Sequence, residues 1–308
     1  MSYQSSKLSR RSFGLGAVSA ATAGLTAKFA SAQTNVAGAS TIHRVEQSIG
    51  FPVYAYIVEG AEGLVVVDAL LTDTASKQLR AKVDAIGKPL QAALLTHPNP
   101  DHYAGLGNLT AGLDVPIFSV TGVNDIVRRD DAAKDALISN MFGPEWPTTR
   151  VFPTETVTEG DTLNFGPGLS FQVMDIGPAE SFHDSLFLLE GKTPVAFVGD
   201  LVFPLMHAYM ADVQNPNWRP ALDRVQTELA EDTLLFVGHG IPATPAFLQW
   251  QKTYLEIFDR AIDAADLSVP EAATAPVMQA MNAYLPSEDL AFLLQLSIAP
   301  NARAAGKL

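Results

Sequence analysis

The stretch Leu94-Leu95-Thr96-His97-Pro98-Asn99-Pro100-Asp101-His102-Tyr103-Ala104-Gly105 constrains this chain more than any other. An apolar run from Ala92 to Leu95, of the kind a buried strand requires, stops where two imidazoles, a carboxylate and a carboxamide fall between His97 and His102. A strand thus delivers polar groups to its own end. Pro98 and Pro100 fix their own φ and bias the preceding residues away from α conformation. His97, Asn99 and Asp101 then project to one side of an extended loop, and His102 begins the next element. These side chains are nitrogen and oxygen ligands for zinc, iron or manganese, and clustering them at a strand end builds an open metal site. Taken alone, the loop also fits a polar turn with an Asx-type cap. What separates the two readings lies downstream.

The same kind of strand end recurs with suitable side chains at Glu180, Asp200 and His239. Landmarks follow in a fixed order: Val67-Asp68, Gly177-Pro178, Gly199-Asp200-Leu201-Val202-Phe203 and Val237-Gly238-His239-Gly240. Together with the His97 loop they resemble the metallo-β-lactamase superfamily, whose mark is a T-H-x-H-x-D-H loop. The resemblance spans about residues 41 to 265. It implies an αββα four-layer sandwich and two adjoining metal sites. The first takes His97 with Asn99 and Glu180; the second takes Asp101, His102 and His239, with Asp200 between them. Two positions depart from the family pattern: Asn99 stands where the family has a histidine, and so does Glu180.

The second set is complete. Its imidazoles and carboxylates leave an open position for water, the arrangement of a catalytic zinc. Water bound at such a site has its pKa lowered to about 7, which makes hydroxide available to attack an acyl carbonyl. The first set pairs a neutral amide oxygen with a hard carboxylate and shifts preference toward manganese, iron or no metal. Zinc, as one or two ions, is the expected cofactor, with manganese or iron as alternatives. By the resemblance, Asp101 is catalytic, and His207 and Tyr209 lie on a loop that returns over the metals, where a tyrosine hydroxyl can donate to a developing oxyanion. Tyr209 fits a packing aromatic equally well. Asp68 is expected to orient the ligand loop as a hydrogen-bond acceptor. His183 is either a substitute ligand or an ordinary structural histidine.

Along the chain, strands are expected over residues 41–47, 53–58 and 63–67, joined by glycine-containing turns. A helix follows, capped by Thr72 or Asp73, with Ala75, Leu79, Val83 and Ile86 on one face and Gly87 with Pro89 at its end. After the 92–95 strand, a second set of strands is expected over 150–165, 169–174, 186–189 and 195–198. Amphipathic helices are expected at 221–229 and 246–265. Beyond Leu267 the composition shifts to Ala, Pro and Ser, and residues 268–308 read as a helical extension, either a cap or a partner surface.

The N-terminal residues 1–32 read as an address. Ser9-Arg10-Arg11-Ser12-Phe13 is a twin-arginine core, followed by a Gly/Ala-rich apolar stretch and an Ala30-Ser31-Ala32 cleavage signature. This implies the twin-arginine export machinery as a partner, a periplasmic or secreted location, and no permanent membrane anchor. The chain has no cysteine, so neither disulfides nor thiolate ligation enters. Hydrophobic residues make up 47% of it, enough for one large core over residues 41–267. Of 20 basic and 33 acidic residues, Lys7, Arg10, Arg11 and Lys28 fall before Ala32 and no acid does, which leaves 16 against 33, or −17. That surface repels polyanions and excludes nucleic acid as a partner. The expected function is an exported hydrolase of a small ester, lactone or related acyl substrate. The alternatives are a sulfate or phosphate ester hydrolase, or a non-hydrolytic iron redox or binding protein of the same fold.

Overall fold

The computed structural model describes residues 33–36, 40–47, 49–265 and 270–308. The expected export segment, residues 1–32, lies outside them. Two sheets stack face to face. The first runs in sequence order: β1 (Gln33–Val36), β2 (Ser40–Glu46), β3 (Tyr54–Glu59), β4 (Leu64–Val67), β5 (Leu90–Leu94), β6 (Ile117–Val120) and β7 (Glu155–Val157). Its first four strands are antiparallel neighbours and the later pairs are parallel. The second sheet, in order β12-β11-β10-β9-β8, comprises β8 (Thr162–Asn164), β9 (Ser170–Gly177), β10 (Asp184–Leu189), β11 (Val195–Gly199) and β12 (Leu234–Val237). Only the β11/β12 pair is parallel.

Alternation along the second sheet explains the layering. Phe187, Leu189, Val195, Phe197 and Phe236 face the first sheet, while Leu186, Ala196, Val198, Leu235 and Val237 face the opposite way into helices. A strand buried on both faces needs apolar residues at every position, and successive side chains then serve different layers. Tyr56 of β3 crosses the inter-sheet space: its ring lies 5.5 Å from that of Phe197 and 5.1 Å from that of Phe236, and its hydroxyl donates to the Val237 carbonyl at 2.6 Å.

Outside the first sheet lie α1 (Asp73–Ile86), the short α2 (Pro100–Tyr103) and α3 (Leu106–Thr110), and the long α4 (Thr121–Phe142). α1 is capped as its sequence predicts: Thr72 accepts from the Ala75 amide, and Gly87 closes the helix with φ 76°. Against the second sheet pack α5 (Asn215–Glu228), α6 (Ala246–Ala264), α7 (Pro270–Tyr284) and α8 (Ala291–Ala304). The result is the four-layer αββα sandwich. Among the described residues no helix is long and apolar enough to cross a membrane.

The architecture corrects several local expectations. The strands expected over 150–165 divide between the sheets: β7 pairs in parallel with β6 in the first sheet, and β8 opens the second. The chain therefore changes sheets within that stretch. The 221–229 helix starts earlier, at Asn215, with a proline in its first turn, where a missing N–H costs nothing. The extension from 268 onward is helical over its described part and is not a separate cap. Val277 and Met281 of α7 and Leu294 and Ile298 of α8 join the same buried cluster as Phe258 of α6.

Candidate metal centre

The parallel pairs β4/β5 and β11/β12 set the site. Parallel neighbours end at the same edge, so the loops after them meet there. Asp68 follows β4, His97 to His102 follow β5, Asp200 follows β11 and His239 follows β12. Glu180 comes from the loop between β9 and β10. The turn into α2 begins at Pro100, a favourable first helical residue, so Asp101 and His102 both sit on that helix instead of only His102.

Each imidazole is fixed by one nitrogen and presents the other. His102 Nδ1 is 2.9 Å from Asp68 Oδ2, His239 Nδ1 is 2.5 Å from the Pro52 carbonyl, and His97 Nδ1 is 3.0 Å from Thr96 Oγ1. Such outer partners hold the tautomer and ring orientation of a ligating histidine. The three Nε2 atoms then converge on carboxylates. His239 Nε2 lies 3.1 Å from Asp101 Oδ2 and 3.2 Å from Asp200 Oδ2; His102 Nε2 lies 3.4 Å from Asp200 Oδ1; His97 Nε2 lies 3.6 Å from Asp200 Oδ2 and 3.9 Å from Glu180 Oε2. Two groups of ligand atoms form, Asp101-His102-Asp200-His239 and His97-Glu180-Asp200, each within 4.8 Å. They share Asp200, which therefore stands between the two sets.

Asp68 has the role expected of it. Its carboxylate accepts from the Thr96 amide at 3.0 Å and the Thr96 hydroxyl at 2.9 Å as well as orienting His102, and it does so from φ 60°. A non-glycine residue in that region costs of order 1–3 kcal/mol and persists where its surroundings over-determine it. Gly199, at φ 51°, is required for another reason: a Cβ there would fall 2.6 Å from Thr96 Oγ1.

Buried polar atoms without a protein partner test whether a cation fits. His97 Nε2, His102 Nε2, Glu180 Oε1 and Asp200 Oδ1 are all in that state, and all belong to the two ligand groups. Burying such atoms unpaired costs about 1–3 kcal/mol each, and a divalent cation satisfies them together. The charges agree. Burial works to lower His239, but the Asp200 and Asp101 carboxylates outweigh it and push the imidazole up to about 10. His102 is likewise raised, against burial, by Asp200, Asp101 and Asp68. Burial, with the Asp200 and Asp184 charges, raises Glu180 well above the usual carboxylate range. His97, buried and beside His102, is lowered to about 4. The site is rich in negative charge and its donor set is oxygen and imidazole nitrogen, which suits a metal ion.

The remaining sequence candidates divide. Asn99 donates its amide to Glu180 Oε2 at 3.1 Å and so holds that carboxyl. Tyr209 lines the cleft over the site, with its hydroxyl donating to Asp212 Oδ1 at 3.3 Å. His207 does not reach the cleft, which corrects its expected catalytic place. Its segment turns into the helical layer, where its ring bonds with the Tyr254 hydroxyl at 2.9 Å and the Ser287 carbonyl at 3.0 Å. His183 is structural, bonded to Asp175 Oδ1 at 2.6 Å and packed against Gly122 of α4.

Sequence reasoning missed Lys134 and Asp212. Both line the cleft, and Lys134 Nζ donates to the Pro98 carbonyl of the ligand loop at 2.8 Å. Burial lowers Lys134 and raises Asp212. The apolar spacing of Leu137, Ile138, Met141 and Phe142 was the available signal for the helix that carries Lys134.

A family model described as the metallo-beta-lactamase superfamily matches residues 49–239, more than half of the chain. The chain belongs to the metallo-beta-lactamase superfamily. A curated relative, Probable metallo-hydrolase YflN of Bacillus subtilis (strain 168), is 25% identical over 230 residues, which cover 67% of this chain and 86% of that protein. A solved beta-lactamase domain protein from Burkholderia ambifaria superposes with a TM-score of 0.62 at 19% identity, covering 89% of each chain. A metallo-beta-lactamase from Pontibacter korlensis gives 0.58 at 18% identity, covering 73% of this chain and 98% of that one. Likeness at such identities bears on fold alone. The chain is thus a member of a metallo-hydrolase superfamily whose fold binds metal ions.

Proposed function

We propose that the protein is an exported, metal-dependent hydrolase of a small ester, lactone or related acyl substrate, with zinc as its metal. The observation that carries the reading is the meeting of three oriented Nε2 atoms with the Asp101 and Asp200 carboxylates, where Asp101, Asp200 and His239 open onto a cleft. Asp101, His102, Asp200 and His239 would hold one ion, and His97, Glu180 and Asp200 a second. A divalent cation so held supplies Lewis-acid polarisation of a carbonyl and a lowered pKa for water.

The chain's own groups complete the chemistry. On this reading Asp101, which lines the cleft, accepts a proton from the attacking water, and the Tyr209 hydroxyl, which donates to Asp212 in the structure, turns to the carbonyl oxygen as negative charge develops there. Water adds to the carbonyl carbon, the bond to the leaving oxygen breaks, and the proton returns to that oxygen. Sulfate or phosphate ester hydrolysis is the second reading, favoured by Glu180 in the ligand set. The acidic balance of the chain, −17 without residues 1–32, weighs against it, since it disfavours an anionic ester.

Export by the twin-arginine route and a periplasmic location rest on Ser9 to Phe13, and a surface at −17 supports a small-molecule partner over nucleic acid. Metal analysis of the protein purified without added zinc, with turnover of p-nitrophenyl esters and lactones, tests the function. Zinc with ester or lactone cleavage is expected. Iron with a visible chromophore and no turnover would move the reading to redox chemistry.

A further inference from the structure

Of the candidate metal ligands, Asp101, Asp200 and His239 line one end of the cleft, which has a volume of about 250 Å³. Its walls are apolar. Leu137, Met141 and Phe142 come from α4, and Phe292 and Leu296 from α8. Leu137 and Met141 stand one helical turn apart, as do Phe292 and Leu296, so each helix offers a short apolar rail. Leu137 and Met141 are each 65% exposed, and Leu296 is 55% exposed.

Phe51 joins these rails to the chemistry. Its ring lies 5.9 Å from that of His239, 6.4 Å from that of Phe142 and 5.5 Å from that of Phe292. The apolar surface is therefore continuous from a metal ligand to the solvent. Single exposed apolar side chains mean little, but a contiguous set bordering polar groups marks a binding site. The volume is just below the roughly 300–1,000 Å³ of drug-sized pockets, which favours a slender ligand over a bulky one. Charge removes the anionic-tail alternative. Lys134 of the cleft wall is already committed to the Pro98 carbonyl and lies in the field of Asp212 and Asp130.

We propose that the cleft takes an elongated fatty acyl chain, its carbonyl at the Asp101–His239 end and its methylenes between α4 and α8. This rests on the hydrolase reading above. The specificity surface then comes from two helices that carry none of the family landmarks.

The experiment uses the metal-loaded protein with p-nitrophenyl acetate, butyrate, octanoate and dodecanoate, and separately with dodecanoate as a ligand. Each buried methylene should raise kcat/KM by about three- to fourfold until the cleft is filled. Dodecanoate should also protect Met141 from oxidation to the sulfoxide by peroxide, read by peptide mass spectrometry without reference to turnover. Leu137→Gln with Leu296→Gln, at positions exposed enough to spare the fold, should reduce the octanoate-to-acetate ratio at least tenfold and abolish the protection. Equal turnover of all four esters with no protection of Met141 would overturn the acyl proposal while leaving the hydrolase standing. Protection that the double variant removes, with no ester cleaved, would sustain the acyl site and sink the hydrolase.

Discussion

His102 commits one nitrogen to Asp68 and aims the other at Asp200, and His239 does the same with the Pro52 carbonyl and Asp101. Replacing either with alanine removes a nitrogen donor already oriented for ligation. Loss of an outer partner alone typically lowers metal affinity 10–100-fold, so His102→Ala or His239→Ala should exceed about 100-fold and remove turnover together with metal. Asn99→His points the other way. It releases the amide that holds Glu180 and adds an imidazole beside the His97-Glu180-Asp200 group, so metal content should rise or metal preference change while activity persists. Metal analysis beside ester turnover reads both variants. Activity lost from Asn99→His at unchanged metal content would mean that the amide acts on the substrate directly. At this scale the motif made His97, Asp101, His102, Glu180, Asp200, His239 and Asp68 legible as candidates, because each follows the end of a strand within a few residues. His207 misled because closeness to Asp200 in sequence does not say which layer a loop turns into. Lys134 and Asp212 belong to no motif and meet the site only through tertiary packing.

Strands and loops carry the same lesson one level up. Both-face burial writes apolar runs at β3, β4 and β11, and these are readable in the sequence. The short β7 and β8 fall within one expected set of strands, because neither is long enough to show a period and nothing local marks the change of sheet. α4 was missed although it is the longest helix described. Its apolar positions fall in two groups, Val123, Ile126 and Val127 in the core and Leu137, Ile138, Met141 and Phe142 by the cleft, with a charged stretch between them that interrupts the stripe. The β12 end is the tightest point of the site. A Cβ on Gly238 would lie 2.0 Å from Asp200 Oδ1 and 2.5 Å from His102 Cε1. Gly238→Ala should therefore displace two ligands, lowering metal affinity by about 10–100-fold and stability by roughly 1–3 kcal/mol. Equilibrium dialysis and thermal unfolding read the two effects. Unchanged metal affinity would show that Asp200 moves without cost and is not a shared ligand.

Over the whole molecule, the charge and the N-terminal address belong to one proposal. Lys7, Arg10, Arg11 and Lys28 concentrate basic charge in residues that carry no acid, and their removal takes the net charge from −13 to −17. The strand β1 begins at Gln33 and pairs with β2 from Gln33↔His43 to Val36↔Ser40. A cut after Ala32 would leave that ladder whole. A cut beyond Val36 would strip β1, lose its ladder with β2 and move the sheet edge to β2. A cut well before Ala32 would leave a basic, apolar tail on an acidic surface. On the export proposal, a cut at the Ala30-Ser31-Ala32 signature falls just before β1 and removes none of its pairing. Intact-mass measurement of protein recovered from the periplasm should give a chain starting at or next to Gln33. A soluble exported form that still carries residues 1–32 would count against the address, and processing beyond Val36 would show that β1 is dispensable to the first sheet.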